Sequence, residues 1–218
     1  GNDANIRHDG TDTYIGNSTG HFYIQQAADD KDLVFQSDNG SGGLTTYFFL
    51  DGSLANGTNT YTRWADNDVV AFGDSQDFLI YHDTSNTILY NSVGDIRITN
   101  TADDKDISFR CDDGSGGTTE YFRLDGSVGG GSTVHTVFPD NSKAVFGAGL
   151  DTQIWHDGTN SYIKQQGGGN LIIQQTAADQ DIILQSDDGS GGETAYITLD
   201  GSVTTTKFSK NTLYEDNV

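Results

Sequence analysis

Histidine followed by aspartate occurs three times in this chain, each time in a string that begins with isoleucine. Residues 6–11, 80–85 and 154–159 read IRHDGT, IYHDTS and IWHDGT, and their histidines are evenly spaced along the chain. Residues i and i+2 of a strand share a face, so each histidine points the same way as its isoleucine. We therefore expect buried histidines, and in an assembly of three chains they would lie near the axis and could bind a metal or an anion. They are His8, His82 and His156.

Two other interpretations of these histidines are open. A half-buried histidine can hydrogen-bond to a turn that the following aspartate shapes. Catalysis is disfavoured, because an active site needs one set of converging groups and this pair stands at three separate places.

Each repeat also carries two acidic turns, such as Asp29–Asp32 and Asp38–Gly43. Carboxylates beside flexible glycines could ligate Ca²⁺, a hard cation that takes only oxygen ligands in such sites. The spacing matches neither the EF-hand loop nor the nonapeptide calcium repeat, and the same residue types favour plain hairpin turns. We expect no cofactor, and Ca²⁺ is the candidate ion for these turns. Its candidate ligands are Asp30, Asp32, Asp38, Asp104, Asp106, Asp112, Asp179, Asp181 and Asp187.

Three tyrosines stand at equivalent positions and alternate with apolar residues. Tyr47, Tyr121 and Tyr196 precede Phe48, Phe122 and Ile197, so they are expected to face away from the core. Outward rings could stack on sugars of a host surface, or pack against a neighbouring strand or chain. Both interpretations stay open, and the three tyrosines are the candidate ligand-binding residues.

These features belong to one long internal repeat. The Leu-Asp-Gly-Ser string starts at Leu50, Leu124 and Leu199, and it recurs with the same period as the histidines and the acidic turns. We divide the chain into repeats 1–71, 72–145 and 146–218, the last of them incomplete. Because the two ends are in phase with the repeat, we expect the array to continue or copies to meet head to tail.

Short runs of alternating apolar residues predict strands, since their period is two and they end in Gly, Asn, Asp or Ser. We expect an all-β, elongated repeat protein, built as a trimeric intertwined β-prism or β-helix fibre. A single-chain β-solenoid is the alternative. One predicted strand places Ile24, Ile98 and Ile173 inside, with their neighbours Tyr23, Arg97 and Ile172 outside.

Composition excludes several classes of protein. The net charge is −21, which disfavours nucleic acid and anionic lipid as partners. No apolar run is long enough to cross a bilayer. Cys111 is the only cysteine, so neither an intrachain disulfide nor a cysteine zinc site is possible.

Three sequence segments resemble repeats in tail-fibre and other structural proteins of marine tailed bacteriophages. They are Ala144–Ile163, Thr101–Gly117 and Tyr121–Ser127, and the likeness extends over essentially the whole chain. The resemblance implies a fibrous, trimeric protein on the virion surface. One departure is Thr84, where the other repeats have Gly10 and Gly158, so we expect this turn to differ in geometry.

The sequence therefore predicts a non-enzymatic fibre segment of a phage virion that associates with itself and contributes to host attachment. A glycan-binding adhesin module and a subunit of a non-viral extracellular filament are the alternatives. A glycan-degrading enzyme is the least favoured class, since such an enzyme needs one pair of carboxylates at a defined separation and the carboxylates here recur in every repeat.

Overall fold

The structure of the chain is a computed structural model that describes residues 3–128 and 133–211. Every regular element in these residues is a β-strand, and the strands pair only antiparallel. None of the described residues forms a helix that could span a membrane. The predicted all-β class and the repeating short hairpins are confirmed. Residues 212–218 of the third repeat lie outside the described residues.

The chain divides into two compact units, residues 1–98 and 99–218. The first unit holds a two-stranded sheet, β1-β2, and two three-stranded sheets with the orders β3-β4-β5 and β6-β7-β8. Their bounds are β1 (Ala4–His8), β2 (Thr13–Asn17), β3 (Leu33–Asp38), β4 (Leu44–Asp51), β5 (Tyr61–Arg63), β6 (Val70–Phe72), β7 (Phe78–His82) and β8 (Thr87–Asn91).

The second unit holds three sheets of three strands, with the orders β11-β10-β9, β12-β13-β14 and β15-β16-β17. Their bounds are β9 (Ile107–Asp112), β10 (Thr118–Asp125), β11 (His135–Val137), β12 (Ala144–Phe146), β13 (Thr152–His156), β14 (Ser161–Gln165), β15 (Ile182–Asp187), β16 (Glu193–Asp200) and β17 (Thr205–Phe208).

The six sheets are of two kinds, and one of each makes a repeat. We call β1-β2, β6-β7-β8 and β12-β13-β14 the histidine sheets, because each carries one of the Ile-x-His strings. We call the other three the Asp-Gly-Ser sheets, because that string ends their central strand. The sequence boundaries at 71/72 and 145/146 fall within β6 and β12, so they mark the phase of the repeat and not the edge of a sheet.

The first two Asp-Gly-Ser sheets are held on one side by a row of aromatic rings. Phe35 stacks on Phe48 with centroids 4.5 Å apart, and Trp64 follows at 5.7 Å. The same row in the second sheet is Phe109, Phe122 and Phe138, at 4.5 and 5.8 Å. The row exists because residues in register across neighbouring strands share a face.

The chain has no hydrophobic core among its described residues. No apolar side chain of residues 3–128 and 133–211 is buried, and the accessible surface of 17669 Å² far exceeds the about 9,700 Å² typical of a globular monomer of 23.4 kDa. The most buried residues are polar, among them Asp51, Gln153 and Asp200. The chain therefore leaves its apolar faces to be covered by something else.

One predicted strand is absent from the sheets. The segment with Ile24, and the equivalent segments with Ile98 and Ile173, join no ladder among the described residues. The prediction that these three isoleucines are buried is wrong for the chain by itself, since they are 56%, 66% and 65% exposed. Alternation predicts a strand, but only a partner strand can cover its side chains.

The expected difference at the Thr84 turn is also absent. Thr84 has φ 81°, close to φ 102° at Gly10 and 93° at Gly158. The three hairpins therefore share one left-handed turn, which strains a β-branched residue.

Thr84→Gly is accordingly expected to raise the free energy of unfolding by about 1 kcal/mol, because relief of strain outweighs the entropy that glycine adds to the unfolded chain. Thermal or urea unfolding measures this. The reciprocal control is Gly10→Thr, which has free space for a side chain at that position and should destabilise. A loss of stability in Thr84→Gly would contradict the shared turn geometry.

Candidate functional site

The most strongly built site in each repeat is a corner around the aspartate of the Asp-Gly-Ser string, which we call the Asp-Gly-Ser corner. Asp51 Oδ1 accepts hydrogen bonds from Ser53 Oγ at 2.7 Å and from the Leu54 backbone N–H at 2.9 Å. Its other oxygen accepts one from Arg63 Nη1 at 3.0 Å. The residue is 5% exposed, so these donors replace the water that its carboxylate loses on folding.

The corner recurs in the other repeats with the same kinds of donor. Asp125 binds Ser127 Oγ and Arg123 at 2.8 Å each. Asp200 binds Ser202 Oγ at 2.6 Å and forms an ion pair with Lys207. The same arrangement thus occurs once in each repeat.

The cation of the corner comes from different strands in different repeats. Arg63 lies on β5 opposite Phe49, and Lys207 lies on β17 opposite Thr198. In the second repeat the β11 position holds Val137, and its partner on β10 is Arg123. In the second repeat the basic residue thus lies on β10, at the position paired with the expected position on β11, and its charge still contacts the buried carboxylate.

These contacts lower the pKa of all three corner aspartates. The Ser53 hydroxyl and Arg63 hold the pKa of Asp51 at about 2, and the Ser127 hydroxyl is the main cause that holds the pKa of Asp125 at about 2. The ion pair with Lys207 lowers the pKa of Asp200 well below its usual range. All three are therefore ionised at neutral pH.

Three of the candidate calcium ligands connect the preceding turn to this corner by a hydrogen bond. Asp106 Oδ1 accepts a hydrogen bond from the Gly126 N–H at 3.0 Å. A Cβ at Gly126 would lie 2.5 Å from the Lys105 carbonyl oxygen, so only glycine permits this approach. Asp32 with Gly52 and Asp181 with Gly201 repeat the same hydrogen bond at 3.0 Å.

The other candidate ligands also belong to turns. The side chain of Asp38 accepts a hydrogen bond from the Gly40 N–H at 2.8 Å, as do Asp112 and Asp187 from equivalent glycines at 2.9 Å. Asp30, Asp104 and Asp179 are turn residues with positive φ. Within residues 3–128 and 133–211, no three His, Cys, Asp or Glu side chains form a group that could hold a metal. Binding of Ca²⁺ by these acidic turns stays a prediction.

The candidate ligand-binding tyrosines sit at β-bulges. The ladder skips one residue of β4, β10 and β16, and that residue is Tyr47, Tyr121 or Tyr196. Each hydroxyl donates to the backbone carbonyl of the aspartate that ends the preceding strand, at 2.8, 2.9 and 3.1 Å. The rings remain outward and exposed, as the alternation predicted.

Two of these tyrosines line clefts that lie at equivalent positions of the first and second repeats. Tyr47 and Trp64 line a cleft of about 410 Å³ together with Asn39, Asn67 and Asp68. In the second repeat a cleft of about 470 Å³ contains Tyr121 with Asp113, Glu120, Asn141 and Lys143. Polar side chains beside an aromatic ring are the groups that a sugar would need for orientation.

The three histidines are exposed in the single chain. Their Nδ1 atoms lie 3.2 Å from Thr13 Oγ1, 3.0 Å from Asp66 Oδ1 and 3.2 Å from Ser161 Oγ. They share an uncovered face with apolar pairs such as Ile6–Ile15 and Ile154–Ile163. Their place near an axis of three chains stays a prediction.

Sequence reasoning missed the corner cation and the aromatic row. Trp64 has no tryptophan equivalent in the second repeat, yet Phe138 fills its position beside Phe122, and Phe208 lies opposite Ile197 in the third repeat. The loop after the third Asp-Gly-Ser string is shorter than the other two, so the equivalent residues of the third repeat do not fall at the regular spacing. Aligning the repeats from the strand that follows this loop would have revealed both features.

Comparisons with protein families, with curated proteins and with solved structures found no match to this chain. Its function is therefore argued from its own residues and their geometry.

The corner makes stability sensitive to acid. Because the pKa of Asp125 is lower in the folded chain than the ordinary 3.8, its contribution is complete above that pH and is lost as pH falls toward about 2. Asp125→Asn should lower the melting temperature at pH 7, with a difference from the unmodified chain that shrinks between about pH 4 and pH 2.

Melting curves from pH 2 to pH 7 measure this effect. The matched control is Asp103→Asn, which removes the same charge from an exposed side chain. Equal melting temperatures for the two variants at pH 7 would contradict the structural role of the corner.

Proposed function

We propose that this chain is a non-enzymatic structural segment of a virion fibre, such as a tail fibre of a tailed bacteriophage, and that it works as a homotrimer outside the cell. The observation that carries the proposal is that no described apolar side chain is buried within the chain. A chain that cannot cover its own apolar faces must cover them in an assembly.

The size of the uncovered surface supports this. The accessible area exceeds that of a typical globular monomer by about 8,000 Å², roughly ten times what one partner loses in a standard interface. Short sheets whose apolar side chains remain exposed are marginal alone, and stacking or intertwining would bury a continuous core.

Three copies suit this surface better than two. In the third repeat, the histidine sheet exposes Ile154 and Ile163, and the Asp-Gly-Ser sheet exposes Leu184 and Leu199. Two separate apolar faces call for more than one neighbour, and a ring of three is the smallest that gives each copy two neighbours. The intertwined β-prism stays our proposed architecture, with the single-chain solenoid as the alternative.

The absence of enzymatic activity is also part of the proposal. The most buried carboxylates, Asp51, Asp125 and Asp200, are occupied by hydroxyl, backbone and cationic partners. The location on a virion rests on the resemblance of the repeated sequence segments to phage tail-fibre proteins.

Molecular mass in solution and electron microscopy test this function. We expect a uniform elongated particle whose mass is three times the 23.4 kDa of one chain. A mass that rises steadily with protein concentration would favour the head-to-tail filament. A compact particle of one chain would contradict both.

A glycan-binding adhesin is the second candidate, favoured by the two equivalent clefts at Tyr47 and Tyr121. Repeated weak sites along one assembly would bind a surface glycan with high avidity. Tyrosine rings stack on the apolar faces of sugars while nearby amides and carboxylates bond to hydroxyl groups.

This candidate predicts binding in a glycan array, with affinity then measured by calorimetry. The double variant Tyr47→Ala and Tyr121→Ala should weaken binding at each site by about fivefold, since a ring contact is worth about 1 kcal/mol. The double variant with Phe at both positions keeps the rings and should bind nearly as the unmodified chain does. No binding to any glycan would contradict the adhesin.

A further inference from the structure

Each repeat contains a short segment that lies outside the sheets of the described residues. These segments are 21–27, 95–101 and 170–176, with the sequences HFYIQQA, DIRITNT and NLIIQQT. Within residues 3–128 and 133–211 their backbone forms no ladder and no backbone–backbone hydrogen bond. We call them the unpaired segments.

The unpaired segments have the composition of strands. Their central residues alternate about Ile24, Ile98 and Ile173, and the apolar side chains on both sides are about half or more exposed. A segment without ladder hydrogen bonds gains little to offset the entropy lost on ordering. Its backbone donors and acceptors are free to add to another chain.

Each segment lines a cleft with apolar residues of its own repeat. In the first repeat Ile24, Gln25, Gln26 and Ala27 all line a cleft with Leu33 and Leu50 of the neighbouring Asp-Gly-Ser sheet. Asn100, on the same side of its segment as Ile98, lines a cleft with Ile107 and Leu124, and Gln175, on the same side as Ile173, lines one with Ile182 and Leu199. We therefore take the side that carries Ile24, Ile98 and Ile173 as the inner side.

Charge indicates that the partner is another copy of this chain. The chain carries a net charge of −21, yet segments 21–27 and 170–176 contain no Asp, Glu, Lys or Arg. In segment 95–101, Asp95 lies 3.6 Å from Arg97. The unpaired segments are thus places where two copies could meet without carboxylate repulsion.

Spacing points to the same partner. The three central isoleucines, Ile24, Ile98 and Ile173, recur with the period of the repeat. A partner that pairs with all three must present matching edges at the same spacing, and a second copy does so by construction.

We propose that residues 21–27, 95–101 and 170–176 are interchain strands, which pair with a second copy of this chain and bury their inner side there. This inference rests on the proposed self-association and names the elements that carry it out. The same isoleucines that are exposed in one chain become part of a shared core.

Amide hydrogen exchange followed by mass spectrometry tests the backbone pairing in the full chain. We expect amides 96–101 to exchange at least about a hundredfold more slowly than those of the exposed loop 54–58, approaching strand β9. A trimer or other oligomer whose unpaired segments exchange as fast as that loop would overturn the inference and leave the proposed function intact. A monomer would overturn both.

A matched pair of variants tests which side of segment 170–176 is the inner side. Ile173→Asp puts a charge on the inner side and should weaken association by about a hundredfold or more, measured as the dissociation constant in sedimentation. Ile172→Asp makes the same chemical change on the outer side of the same segment and should shift that constant less than about threefold. Equal constants for the two variants would overturn the assignment of the inner side.

Discussion

A sheet of two or three short strands cannot bury the apolar side chains that it carries. In the described part of the chain six such sheets follow one another, and the residues that are most buried are polar or charged. The rest of the structure depends on this constraint. Each Asp-Gly-Ser sheet is fixed internally by its polar corner, and the apolar faces of the sheets stay exposed in the single chain.

The Asp-Gly-Ser corner shows how a polar joint replaces a hydrophobic core. A buried carboxylate is costly unless donors surround it, and here hydroxyl, backbone and cationic donors do so in all three repeats. The basic partner shifts from β5 to β10 to β17 while the carboxylate stays in place. What the fold requires is a positive charge at that point in space, and either strand of the rung can provide it.

Repetition links this local design to function. A catalytic centre is built once, whereas a contact that must recur along an assembly is built at every period. The unpaired segments, the histidine sheets and the bulge tyrosines all recur in this way. Acidic residues are concentrated in turns, and the unpaired segments are nearly neutral, which is the charge separation that the proposed contacts between copies would need.

The repeat, the all-β class and most strands followed from the sequence, because turn residues and period-two alternation act between near neighbours. The hydrogen bonds by which the aspartate shapes each His-Asp turn also join near neighbours in the sequence. Only the tertiary structure decided that Thr84 keeps the glycine geometry, that Tyr121 is a bulge residue and that Arg123 replaces a cation on β11. It also decided that Ile98 joins no sheet and stays exposed among the described residues. These outcomes depend on residues far apart in sequence, since burial and register are properties of the partner strand, and alternation alone does not say whether that partner exists.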